Sequence, residues 1–326
     1  MRKTKYGVVI IGQITFDDIV TYHQPVIKDS PGGDGLYSLS GAFMINSDDL
    51  GLVVRKGNDS NLDEIKKLTG NRVNYDGVVT IPDQPNIHIW NMFDREGHRY
   101  FINQRWSGSD DYMAPAPADI PTPYLNDTKA IHVAALPFPW GKDVISYMKN
   151  AAKSVIVQVD PHFNHVYKDN FDVWANMLKH INIFLPSEEE FIRLFGIKTQ
   201  KDIKQYIPFM KQITDIGPEI CGIKLGSKGA MIYDRNTDQC YYAPTYDDVN
   251  LVDVTGCGDV FCGAFLGKYT ETNDAFEALL AGNIASSFNL EHYGVLENFL
   301  VTGAMFEERM CKYRVSVKKD CSLINN

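Results

Sequence analysis

A chain of 326 residues is long enough to bury a large core, as one big α/β domain or two smaller ones. Its 44% apolar and 22% charged residues give the balance of a globular enzyme. A formal net charge of −9, with no basic cluster, argues against nucleic acid or an anionic membrane as partner.

Six cysteines, at 221, 240, 257, 262, 311 and 321, show no C-x-x-C pair and no metal-ligand spacing. Behind the basic residues 1–6, only 7–12 is apolar, too short for a signal peptide or a membrane span. A cytoplasmic protein with reduced thiols is expected. Residues 7–12 are a β-branched run closed by Gly12, the pattern of a strand buried on both faces at the centre of a parallel sheet. Asp17 follows Gly12 by five residues, next to Asp18. Gly32, Gly33 and Asp34 then open a helix over 36–45 that carries Tyr37; paired glycines let backbone N–H groups approach a ligand.

Residues 51–59 read as a second strand and its exit. Between 76 and 112 the character changes. Alternating runs at 87–90 and 98–102 flank the turn signal Asp94-Arg95-Glu96-Gly97, which predicts an antiparallel ribbon outside the main sheet. Arg105 closes this segment, either to meet a carboxylate or phosphate or to pack on Trp106. After a proline-rich loop at 114–123, strand-like runs at 130–134, 155–159, 182–185 and 219–224 alternate with helical ones at 144–152, 171–179, 187–195 and 199–213. That alternation predicts an α/β fold with a doubly wound, mainly parallel sheet flanked by helices.

Several strand ends carry polar residues. Asp160-Pro161-His162 stops one strand, which Asp-Pro does on its own. Ser187 and Glu190 have the spacing of a capping box, which explains them without any ligand. Lys224, Gly226 and Gly229 form a glycine turn before a short hairpin through 231–233 and 241–242. Helices are expected over 278–288, carrying Asn283, and over 305–311, with a loose tail at 318–326.

The most informative stretch is Asp253-Val254-Thr255-Gly256-Cys257-Gly258-Asp259. Residues 249–252 before it read as a strand end, and apolar residues at 260, 261, 264 and 265 have helical spacing. A helix opening there leaves backbone N–H groups without intrahelical partners and adds the positive end of its dipole. Gly256 and Gly258 remove side chains that would block an anion, so the turn can cradle a phosphoryl group with a carboxylate beside it. Asp259 as a plain N-cap is the competing reading. Gly263, one turn into the helix, marks close packing.

This stretch resembles the D-T-x-G-A-G-D signature of the ribokinase-like (pfkB-type) carbohydrate kinases, with Cys257 in place of Ala and Val254 where Thr is frequent. Other motifs follow in family order, from Gly12 to about Asn283. Gly12 to Asp17 is similar to G-x-x-x-x-D, and 32–37 to G-G-x-x-x-N, with Tyr37 at the Asn position. Asp160-Pro161-His162 resembles D-P-N. Residues 187–190 resemble N-x-x-E with Ser187 for Asn, and 224–229 resemble T-x-G-x-x-G with Lys224 for Thr. Arg105 and Ser107 have a distant likeness to the 2-keto-3-deoxygluconate kinases.

The resemblance implies a single kinase domain over 1–326, with a small antiparallel β lid from about 13–30 and 76–112. It implies that Asp17, Gly32, Gly33, Asp34, Tyr37 and Arg105 face a sugar. Ser187, Lys224, Gly226, Gly229 and Asn283 would line ATP, and Glu190 would organise Mg²⁺ through water. Asp253 would fix the loop or help hold a monovalent cation such as K⁺. The expected reaction is transfer of the γ-phosphoryl group to a hydroxyl of a sugar or sugar-like substrate. Gly256, Cys257 and Gly258 would be the anion hole and Asp259 the general base. A nucleoside kinase and a non-catalytic sugar-binding protein are the alternatives; a dinucleotide dehydrogenase is disfavoured because G-x-G-x-x-G does not follow the first strand. Exposed aromatic faces on the lid imply a homodimer formed through it.

Overall fold

The computed structural model describes residues 5–22, 25–45, 49–95, 99–151 and 154–320. Its frame is a sheet of nine strands among the described residues, in the order β13-β12-β11-β10-β9-β8-β1-β4-β5. In chain order the main-sheet strands are β1 (Tyr6–Ile11), β4 (Asp49–Lys56), β5 (Val73–Thr80), β8 (Thr128–Val133), β9 (Ile156–Val159), β10 (Ile183–Phe184), β11 (Ile220–Lys224), β12 (Ala230–Asp234) and β13 (Gln239–Ala243). All neighbours from β5 to β11 pair parallel, and β12 and β13 add an antiparallel edge.

β1 is buried along its whole length. From Val8 on its residues alternate between two cores, Val8 and Ile10 facing one and Val9 and Ile11 the other, while Tyr6, across a register shift, joins the second. The first core lies under the helices Asp34–Ile45, Cys257–Thr272 and Ala275–Asn289; the second lies under Trp140–Ala151, Phe171–Leu178, Glu188–Phe195 and Ile207–Ile216. From β1 the chain builds outward to β4 and β5 on one side, then returns to β8 and proceeds away on the other. This reversal opens a crevice beyond the carboxyl ends of the strands, where ligands of doubly wound sheets bind.

A second sheet has the order β3-β2-β6-β7, built from β2 (Thr15–Val20), β3 (Ile27–Gly32), β6 (Ile87–Phe93) and β7 (Arg99–Asn103). β6 and β7 are antiparallel, as the alternating runs predict, whereas β2 and β6 pair parallel. Ile87, Ile89 and Asn91 turn inward, while Trp90, Tyr100, Phe101 and Ile102 are exposed. Part of the segment read as lid belongs elsewhere: residues 76–80 lie in β5, at the edge of the main sheet. Glu96 and Gly97, in the expected turn, and His98, at the head of the second run, lie outside the described residues, as do 321–326 of the expected tail. Residues 318–320 extend the last helix, Gly303–Asp320.

Two local readings need correction. Residues 249–252 are not a strand; the whole passage 244–254 is irregular, and Val252 N–H donates to Leu290 O at 2.7 Å. The sheet already ends at β13, so the apolar residues here have no strand to join. The helix expected over 199–213 begins later, as Ile207–Ile216 after a 3₁₀ turn at Ile203–Tyr206, because Pro208 is placed best in a first helical turn.

Candidate active site

The glycine-rich stretch enters its helix through Gly256, at φ +72°, in the left-handed region where a side chain is strained. The turn is clamped from three directions. Asp253 Oδ1 accepts from Thr255 N–H at 3.0 Å and from Thr255 Oγ1 at 2.8 Å. Asn91, on β6 of the smaller sheet, donates to Thr255 Oγ1 at 2.9 Å. On the other side Asn289 donates to Thr255 O and Ser286 Oγ to Cys257 O, at 2.8 and 2.9 Å. Of the three amides expected to form the anion hole, Cys257 N–H already donates to Val254 O at 3.3 Å. Gly258, second in the helix, sits where an N–H lacks an intrahelical carbonyl.

A second helix N-terminus converges on the first. The helices Asp34–Ile45 and Cys257–Thr272 cross through glycines: a Cβ on Gly263 would run into the Ser38 carbonyl, and one on Gly41 into the Val260 carbonyl. That close crossing brings Asp34 within electrostatic reach of Asp259. Burial, with the Asp259 charge adding to it, holds the Asp34 carboxyl well above the usual carboxylate range. Asp34 Oδ1 accepts the Gln13 N–H at 2.5 Å, just beyond β1.

Asp17 lies against Gly32, two residues before Asp34. It is buried at 2% exposure, with Oδ1 accepting from Thr15 Oγ1 at 2.6 Å. A Cβ on Gly32 would stand 2.8 Å from Asp17 Oδ2, and Gly33 holds φ +94°, so both glycines are required where the smaller sheet meets the Asp34 helix. Asp17, Gly32, Gly33 and Asp34 are therefore brought together. Tyr37 is buried with its ring packed on the backbone of Gly256, where it buttresses the anion-hole turn. Arg105 is exposed on the turn after β7. Sequence reading gave no site role to Gln13 or Asp110, which are joined by a 2.9 Å hydrogen bond from Gln13 Nε2. Nor did it give one to His162, whose pKa burial lowers to about 4 against the pull of Asp110.

On the far side of Asp259 a cleft of about 600 Å³ opens. Ser187, Glu190, Lys224, Gly226, Gly229 and Asn283 line it together with the 256–259 turn. Ser187 and Glu190 make the reciprocal capping box, Glu190 Oε2 accepting from Ser187 N–H at 2.7 Å and Ser187 Oγ from Glu190 N–H at 3.3 Å. Burial raises the Glu190 pKa, with the Lys224 charge opposing. The Asn283 amide donates to Ala243 O and Pro244 O at 3.1 and 3.0 Å, which fixes the rim of the cleft. The apolar residues Val249, Leu251 and Val254 of the irregular passage also line the cleft, and Leu251 is 65% exposed. Lys224 Nζ forms an ion pair with Asp160 Oδ2, beyond the end of β9. The sequence signals for Asp160 were the Asp-Pro dipeptide and its likeness to D-P-N.

Among the described residues no group of three or more His, Cys, Asp or Glu is set to hold a metal ion. Two buried carboxylate oxygens, Asp253 Oδ2 and Asp160 Oδ1, have no hydrogen-bond partner.

A cytidine kinase of Thermococcus kodakarensis is 24% identical, over 84% of this chain and 92% of its own. An uncharacterised protein of Schizosaccharomyces pombe is 26% identical, over 89% and 84% respectively. Among solved structures, a putative ribokinase II from E. coli in complex with ATP and Mg²⁺ superposes with a TM-score of 0.73 at 20% identity, covering 94% of this chain and 99% of that one. The family model of the pfkB carbohydrate kinases matches residues 5–301, and the chain belongs to that family.

Proposed function

We propose that the protein transfers the γ-phosphoryl group of ATP to a hydroxyl of a sugar or sugar-like small molecule. The observation that carries this reading is the position of Asp259. It heads a helix at the boundary between a large cleft on one side and the buried carboxylates Asp17 and Asp34 on the other. The cleft takes the nucleotide, with Val249, Leu251 and Val254 offering apolar surface to a base and the glycine turn facing the phosphates. Asp17 and Asp34 accept from hydroxyls of the acceptor.

Phosphoryl transfer passes through a loose transition state, so the protein's task is placement and charge stabilisation. The first-turn amides at Gly256 and Gly258 and the helix dipole stabilise charge on the moving phosphoryl group. Asp259 accepts the hydroxyl proton late, as the oxygen bonds to phosphorus. Mg²⁺, when bound with ATP, offsets polyphosphate charge; Glu190 fits that ion through water, since Mg²⁺ retains most of its waters. The unpartnered Asp253 Oδ2 fits a monovalent cation behind the turn, and K⁺ is proposed there. The exposed aromatic face of the smaller sheet fits a second copy of the chain.

A nucleoside acceptor is the second reading, favoured by the cytidine kinase relative. The deciding experiment measures ADP release over a panel of sugars, sugar acids, polyols and nucleosides. Turnover with any free sugar class and none with nucleosides supports the first reading, and the reverse the second. Acceptor-independent silence, with no ATP binding, removes both.

A further inference from the structure

The cleft poses an electrostatic problem. Its lining carries four carboxylates, Asp160, Glu190, Asp247 and Asp259, on a protein of net charge −9, yet it is offered to a polyphosphate. Among the residues lining it, Lys224 is the one lysine, arginine or histidine. It is the last residue of β11, on the carboxyl edge of the sheet, and its side chain is only 13% exposed.

The ammonium is placed at the anion hole itself. A Cβ on Gly258 would stand 3.4 Å from Lys224 Nζ, so only the missing side chain separates the cation from the helix N-terminus. Asp160 Oδ2 holds Nζ there, and Cys262 Sγ lies 3.5 Å from it. Burial alone would lower the pKa of this amine. Asp160, Cys262, Glu190 and Asp259 override that and raise its pKa, so it enters catalysis as a full cation.

Resting on the kinase reading, we propose that Lys224 is a catalytic residue whose ammonium, anchored on Asp160, contacts the non-bridging oxygens of the phosphoryl group during transfer. An ammonium has three donors, so Nζ keeps Asp160 while giving a second hydrogen bond to the phosphoryl oxygens. No proton leaves Lys224. The bond from phosphorus to the ADP oxygen breaks, the bond to the acceptor oxygen forms, and the acceptor's proton goes to Asp259. The ammonium neutralises charge on the group in motion, which the neutral threonine at this place in the T-x-G-x-x-G pattern cannot do. Asp160 is then a positioning residue: it sets where Nζ points.

The test compares wild type with Lys224→Met, which keeps the stem, and Lys224→Arg, which keeps the charge. Because Lys224→Met leaves Asp160 buried and unpaired, the double variant Lys224→Met/Asp160→Asn is measured alongside, with circular dichroism to verify folding. Calorimetry reads Mg·ATP and Mg·ADP affinities separately, and steady-state kinetics reads kcat and acceptor KM. The charge-removing variants should lose about 10-fold more affinity for ATP than for ADP and about 10²-fold in kcat, with acceptor KM unchanged. Lys224→Arg should recover much of both. Equal losses for ATP and ADP, or a kcat within about threefold of wild type, would overturn the catalytic role and leave the kinase reading intact. A wild-type protein that binds no ATP overturns the kinase reading, and the lysine proposal falls with it.

Discussion

Asp259 and Asp34 come from sequence positions more than 200 apart, yet their carboxyls come within electrostatic reach because each heads one of two helices that cross at glycines. The roles differ by environment: Asp34 is engaged by the Gln13 N–H and biased toward its neutral form, while Asp259 borders the cleft. Asp259→Asn should therefore lower kcat by about 10²-fold or more, with ATP affinity changed only a few-fold. Stopped-time ADP release with calorimetric ATP binding checks this; retention of more than about a tenth of turnover would remove Asp259 as the base. The glycine turn and the helix that follows it were legible because their signal is local. A φ of +72° demands Gly at 256. Lys224 and Asp160 were not legible as a pair, because parallel register, not sequence distance, sets them side by side. Tyr37 shows the same limit: the motif position could not show that its ring packs against Gly256.

Elements explain why the site is rigid. The crossing of the Asp34 and Asp259 helices has no room for a methyl group, since the atoms in the way of a Gly263 Cβ are the Ser38 carbonyl and the Ala42 N–H nitrogen. Backbone cannot rotate aside as a side chain can, so Gly263→Ala should cost about 1–3 kcal/mol or more and push the two helix N-termini apart. Thermal or urea unfolding reads the first effect. A kcat loss larger than the loss in ATP affinity reads the second, and an unchanged midpoint would mean that the crossing is looser than described. The need for packing at Gly263 was visible as a small residue in an apolar helix. The capping box at Ser187 and Glu190 was equally visible, because both halves lie within one turn. Residues 249–252 misled because apolar, β-branched residues suit either a strand or the wall of a cleft. Only the end of the sheet at β13 decides between them. On the smaller sheet, strand alternation put Trp90 outside and Ile89 inside, and the register sets exposed Ile102 opposite Trp90 with exposed Tyr100 on the same side, leaving that face open. If that face pairs two copies, Tyr100→Lys with Ile102→Lys should convert a dimer to a monomer in sedimentation velocity, with unfolding midpoint little changed; a wild-type monomer would refute the pairing.

At the scale of the whole molecule, ionisable groups buried behind the site tie stability to pH, and the signs oppose one another. Asp34, Asp160 and Glu190 are held above their usual range by burial, so the folded state binds their protons first and acidification favours it. His132, on β8 beneath the cleft, acts the other way. It is fully buried, its Nδ1 lies 3.0 Å from Gln158 Nε2, and its Nε2 has no hydrogen-bond partner. Burial first, and then the charge on Lys224, lower its pKa from 6.5 to about 3. The unfolded chain therefore takes a proton below pH 6.5 that the folded one refuses, and the His132 contribution is present above that pH and lost as pH falls. At pH 5 the difference is about 1.5 pH units, or about 2 kcal/mol of lost stability. The opposing carboxyls hide this in a single acid titration, but they are common to wild type and His132→Gln, so the comparison isolates it. Urea unfolding of both proteins at pH 7.5 and pH 5 should show the variant losing about 2 kcal/mol less than wild type on acidification. Identical slopes would mean that His132 takes up its proton inside the folded sheet. A cation would then stand within electrostatic reach of Lys224, beneath the cleft.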